Sequence, residues 1–103
     1  MDDILIDRGV VKGRQDYVLE RVYARDNGDR IKVRIKRDSY DFQSYATAER
    51  WDGTHWQNVV RMDGMHPTMA ALPSYATRDL RERDAALENL VEDLLEEVAL
   101  ILG

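Results

Sequence analysis

Cysteine is absent from the 103 residues, which removes disulfide frameworks, thiolate metal sites and thiol nucleophiles at once. That absence is compatible with a reducing compartment. No apolar run approaches the ~18–20 residues of a membrane span. The opening Met1-Asp2-Asp3 lacks the basic start and apolar stretch of a secretory signal. The expectation is a soluble cytoplasmic protein with no membrane partner. Glycine-rich phosphate loops and nucleophile elbows are missing as well, so Ser39, Ser44 and Ser74 have no catalytic setting. Only two histidines occur, His55 beside a turn and His66 before Pro67. Their spacing suits neither a helix nor a strand metal site, even with Asp63 close to His66. The acidic run Asp26-Asn27-Gly28-Asp29 lacks the further oxygen ligands and terminal Glu of a calcium loop. These gaps argue against an enzyme, a cofactor or a bound metal.

What is present is charge, at 34% of residues, and the two signs are unevenly placed. Residues 1–62 hold twelve basic and eleven acidic side chains, whereas 63–103 hold three and nine. The window 21–37 alone is +5. Such asymmetry bears on partners and association rather than on fold.

Patterning divides the chain into one domain, in keeping with its length. Residues 1–16 form an N-terminal arm. Ile4-Leu5-Ile6 can add an edge strand, and 8–15, with Gly9 and Gly13, reads as a loop. Residues 17–62 read as a β-meander. The first hairpin pairs 17–25 with 30–37 around Asn27-Gly28, a dipeptide suited to a type I′ turn with two positive φ angles. That turn sets Arg25 opposite Arg30, Tyr23 opposite Lys32, Arg21 opposite Arg34 and Leu19 opposite Lys36. A single basic face results: Arg21, Tyr23, Arg25, Arg30, Lys32, Arg34 and Lys36. Two of its cross-strand pairs are like-charged, which is unfavourable unless something acidic covers them. A third strand spans 42–51 and a fourth 55–62, joined at Asp52-Gly53. A four-residue loop there would pair Trp51 with Trp56. The aromatic set Tyr40, Phe42, Tyr45, Trp51 and Trp56 suits packing better than a ligand pocket.

Residues 63–76 form an irregular linker containing Pro67 and Pro73, apolar enough to pack across a sheet end. From 77 to 102 the period becomes helical, with Ser74 or Thr77 as N-cap and Asp79 and Glu82 in the first turn. The fold expected is therefore α+β: an antiparallel meander of four strands, five if the arm joins an edge, with one long C-terminal helix across a face.

A helix of about 25 residues is about 37 Å long, more than a strand of about 30 Å. Its seam Leu87, Val91, Leu94, Val98 and Ile101 is widened by Leu90, Leu95 and Leu102, more apolar surface than a small sheet covers. Glu88, Glu92 and Glu96 form an acidic stripe with no basic residue after Arg83. The expected function is a non-enzymatic interaction module, a homo-oligomer or protein binder, dimerising through that seam. The alternative is a small nucleic-acid-binding protein that uses the basic hairpin face, although alternating charge also occurs on solvated strands.

Overall fold

The computed structural model describes residues 4–12, 17–37, 43–70, 72 and 80–103, with side chains from residue 18 onward except Leu80. Five antiparallel strands form one sheet in sequence order: β1 (Ile4–Lys12), β2 (Tyr17–Ala24), β3 (Arg30–Arg37), β4 (Tyr45–Trp51) and β5 (Trp56–Asp63). A one-turn helix α1 (Pro67–Ala70) precedes the long helix α2 (Leu80–Leu102), which packs on β3, β4 and β5. The α+β meander with a C-terminal helix is thus the architecture of the chain.

Strand β3 shows why the sheet forms. Ile31, Val33 and Ile35 alternate with Arg30, Lys32, Arg34 and Lys36, and all three apolar side chains are fully buried. Period two sends one set to each face of the sheet. On the helix side, Leu19 and Tyr23 of β2 and Ala46 and Ala48 of β4 join them. Two alanines at the centre let α2 approach closely, and Leu87, Leu90, Val91, Leu94 and Val98 close over them. Each such side chain contributes about 1.5–3 kcal/mol on burial.

The β2–β3 pairing differs from the expected one by a single residue. Leu19 faces Ile35, Arg21 faces Val33 and Tyr23 faces Ile31. The loop has three residues, 26–28. The Gly28 amide donates to the Arg25 carbonyl at 3.0 Å, and the Arg25 amide donates to the Asp29 carbonyl at 3.0 Å. Only Gly28 takes a positive φ, at 92°, so Asn27 does not supply the second one a type I′ turn requires. A turn followed by a left-handed bulge glycine replaces it. The physical reason is burial and charge together. The expected register would have placed Glu20 beside Ile35 in the core and Arg21 opposite Arg34. The actual one puts Leu19 and Tyr23 inside and Glu20 opposite Arg34.

Four further expectations are revised. Strand β1 runs through Lys12, so 8–12 is strand and not loop, and Gly9 is accommodated opposite Glu20. Strand β4 begins at Tyr45 and β5 extends from Trp56 to Asp63. The linker contains α1, whose Met69 is fully buried and which Pro67 opens at the position where its missing N–H costs nothing. Lastly, the seam expected to form an oligomer contact is mostly internal. Leu87, Val91, Leu94 and Val98 are at most 3% exposed within one chain, and only Ile101 lies outside, 56% exposed. The helix lies on its own sheet and consumes that surface. Ser74, Thr77 and Asp79 fall outside the described residues, as do Tyr40 and Phe42.

One ion pair ties helix to sheet. Arg21, its side chain 7% exposed, donates through Nη1 to Glu88 Oε2 at 2.8 Å and through Nη2 to Glu88 Oε1. The hydrogen bonds that Arg21 donates to Glu88 raise the guanidinium's already high pKa, against the opposing effect of burial. The two partners are not equivalent, because Glu88 is 51% exposed. Removing Arg21 leaves a carboxylate that water can solvate, whereas removing Glu88 leaves a buried cation beside Tyr23 without its counter-charge. In urea unfolding, Glu88→Ala is expected to cost about 2 kcal/mol and Arg21→Met less than about 1 kcal/mol. Equal losses would show that the pair behaves as an ordinary surface bridge.

Candidate functional site

The register distributes the predicted basic face over both sides of the sheet. Arg21 and Tyr23 point toward α2 and are buried. Arg25 joins that side: its Nη1 lies 3.4 Å from Asp29 Oδ2 and its Nη2 donates to the Gly103 carbonyl at 3.4 Å. A cation at the helix C-terminus offsets the negative end of the dipole, which the acidic stripe would otherwise leave unopposed. Arg30, Lys32, Arg34 and Lys36 remain together on the other face, which no described element covers.

Cross-strand pairing organises that open face into rows, each with one cation from β3. The row nearest the hairpin turns is Ala24, Arg30, Trp51 and Trp56; the next is Val22, Lys32, Glu49 and Asn58. Then come Glu20, Arg34, Thr47 and Arg61, and finally Val18, Lys36, Tyr45 and Asp63. A bulge in β5 makes this set possible. Ala48 pairs with Val60 but Glu49 with Asn58, leaving Val59 as the extra residue. Without it, Trp56 and Asn58 would share a face with Val60 and Met62. The bulge reverses the parity, so Val60 and Met62 pack toward the core while Trp56, Asn58 and Arg61 face outward.

Aromatic rings and cations then interleave. Lys32 Nζ lies 4.4 Å from the centre of the Trp56 ring, and the Arg61 and Arg34 guanidinium carbons lie 5.1 and 6.0 Å from that of Tyr45. Trp51 and Trp56 pair across the strands, centroids 5.4 Å apart and planes tilted by 57°. The four-residue loop that would bring them opposite one another is the one formed. They are half-buried and outward-facing, not part of the core. Arg34 and Glu20 approach to 3.8 Å with both side chains more than 40% exposed, a pair that water screens.

Asp52 holds the β4–β5 turn. Its Oδ1 accepts from the Thr54 amide at 2.8 Å, the Thr54 hydroxyl at 2.8 Å and the His55 amide at 2.9 Å. Its Oδ2 accepts from Gln57 Nε2 at 2.9 Å and lies 3.4 Å from His55 Nε2. His55 is therefore a turn residue. His66 plays a similar part at α1, where Nδ1 accepts from the Thr68 amide at 3.2 Å. Among the described residues no cluster of three or more His, Asp or Glu side chains is arranged to hold a metal. Between the two hairpin turns, Arg50 Nε lies 3.1 Å from Asp29 Oδ2 and joins their bases.

Tyr45, Trp51, Trp56 and Arg61 are the open-face residues that periodicity alone did not assign to this surface. The Asp-Gly turn signalled the tryptophan pair. Nothing local signalled the bulge at Val59.

The Asp52 carboxyl is pulled down to about 2, chiefly by the His55 amide and then by the amide and hydroxyl of Thr54. A depressed folded-state pKa contributes stability that is complete above the unfolded value of ~3.9 and lost as pH falls through the folded one. Side-chain carboxyl NMR should therefore show Asp52 titrating near 2, with the Thr54 and His55 amide signals shifting in the same step. A midpoint near ~4 would mean the turn is not organised by this carboxylate.

No family model, curated protein or solved structure matches this chain, so the functional reading rests on the geometry.

Proposed function

We propose that this chain is a non-catalytic cytoplasmic binding module that holds single-stranded nucleic acid along the open face of its sheet. The observation that carries the reading is the row-by-row placement of Arg30, Lys32, Arg34 and Lys36 along β3. Alternate residues of a strand are about 6.6 Å apart, an interval comparable to that between phosphates of an extended strand. Arg61 adds a fifth cation, and Tyr45, Trp51 and Trp56 supply rings among them. Basic grooves with interleaved aromatic rings suit single strands, whose bases are free to stack. The charge of the remainder supports the same orientation. Acid concentrates on α2 on the far side, so an approaching polyanion is steered to the sheet and repelled by the helix.

With four phosphates neutralised, log affinity should fall with log salt at a slope of about −3, or about 50-fold between about 50 and 200 mM. Fluorescence anisotropy of a labelled single-stranded oligonucleotide measures this directly. The double substitution Lys32→Gln, Arg34→Gln should reduce the slope by about 1.4 while circular dichroism stays unchanged. Absence of binding at low salt removes the reading.

A second reading, self-association through α2, is supported by the end of the helix. Leu100 is 82% and Ile101 56% exposed, and the half-buried Ala99 directly precedes them. An exposed apolar group of this kind favours a contact with a second copy. In sedimentation the chain should dimerise at high micromolar concentration, and Leu100→Lys with Ile101→Lys should render it monomeric. A wild-type monomer under those conditions ends this second reading and leaves the first intact.

A further inference from the structure

We infer that the corner formed by Arg30, Trp51 and Trp56 is a stacking slot for one nucleobase, anchoring the strand at the turn end of the open face. This rests on the reading of that face as a single-strand surface, and it assigns a specific job to the two tryptophans together with Arg30, the cation at the turn end of the row.

Three observations converge on the corner. The two indoles do not lie flat on one another: their 57° tilt leaves a wedge. With Arg30, which pairs directly with Trp51 across the strands, that wedge bounds a cleft of about 250 Å³. Beside it, a wider opening of about 540 Å³ between the two hairpin turns shares Arg30 and Trp51 as walls. Ligand sites are commonly about 300–1,000 Å³, so the two openings together have room for a base and its sugar. At the rim, Gly28 and Gly53 take φ of 92° and 105°, and a Cβ at either would meet nothing within 4 Å. The turns thus leave the mouth unobstructed.

Chemistry distinguishes the two rings. Lys32 Nζ already caps the Trp56 ring at 4.4 Å, so Trp56 acts as the fixed wall. Trp51 and the exposed Arg30 provide the two planar groups between which a base can insert, one by π-stacking and the other through its guanidinium plane. The position also follows from the sheet. This is the last row before the turns, so a strand whose phosphates follow Lys36, Arg34 and Lys32 reaches the slot at the end of the track. A base held there would fix the register of the strand on the row.

The chain contains two tryptophans and both are in the corner, so tryptophan emission, excited at wavelengths that tyrosine does not absorb, reports on the slot. Titration at low salt with a single-stranded deoxyadenosine octamer should quench that emission. An octamer of abasic deoxyribose phosphates keeps the charges but lacks bases, and it should bind about 10-fold more weakly and leave the emission unchanged. Trp51→Leu should lower affinity for the deoxyadenosine octamer about 10-fold with the salt slope unaltered, whereas Trp51→Phe, which retains a ring, should recover most of it. The abasic comparison needs no substitution and therefore stands even if Trp51→Leu fails to fold. Salt-dependent binding with unchanged emission, or equal affinity for the two octamers, overturns the slot while leaving the face. No binding of either octamer at low salt overturns both.

Discussion

Everything this molecule presents to its surroundings depends on the parity of the β2–β3 pairing. A three-residue loop with Gly28 in the left-handed region places Leu19, Arg21 and Tyr23 under α2 and leaves the cations of β3 on the opposite side. A shift by one position would exchange those sets: Val18, Glu20 and Val22 would enter the core and Arg21 would leave it. The loop tolerates the required backbone because glycine pays little for a positive φ. The choice itself is made by the interior, where Leu19 and Tyr23 bury more apolar surface than their neighbours and Glu20 escapes a position without a partner.

That choice sorts charge as well as hydrophobicity. On the helix side, Glu88 holds Arg21, and Arg25 reaches both Asp29 and the last carbonyl of the chain. Cations that would have repelled one another on a shared face are thereby divided, and two of them neutralise acid contributed by other elements. On the open side, Glu20, Glu49 and Asp63 are the acids that the described rows of β2–β5 set among the cations of β3. The acidic stripe keeps its remaining carboxylates outward on α2. An acidic chain can in this way carry a cationic surface, since net charge describes a sum and a binding face depends on placement.

Much of the architecture was legible in short stretches. The alternation of Ile31, Val33 and Ile35 with basic residues, the Asp-Gly turn between two tryptophans and the helical spacing of Leu87, Leu90, Leu94 and Val98 each specify their element by periodicity. The first strand was obscured by Gly9 and Gly13, whose presence suggests a loop when no neighbouring strand is in view. The length of α2 suggested surplus apolar surface. Two buried alanines and the side chains of the linker, Met69 and Leu72, absorb most of it inside one chain. The β5 bulge had no local mark at all. Its effect, however, decides which of Trp56, Val60, Arg61 and Met62 belong together.

Residue order was sufficient for the class of fold, the order of the strands, the helix and the separation of acid from base, because each follows from interactions between near neighbours in the chain. Pairing parity and the occupancy of each face required the packed molecule. Neighbouring residues offered two nearly equivalent ways to bury the first hairpin. Only contacts from α2, distant by more than sixty residues at the Arg21–Glu88 pair, broke that tie. A side chain's face in a sheet is settled by what must be buried across the whole structure, and that quantity is not local.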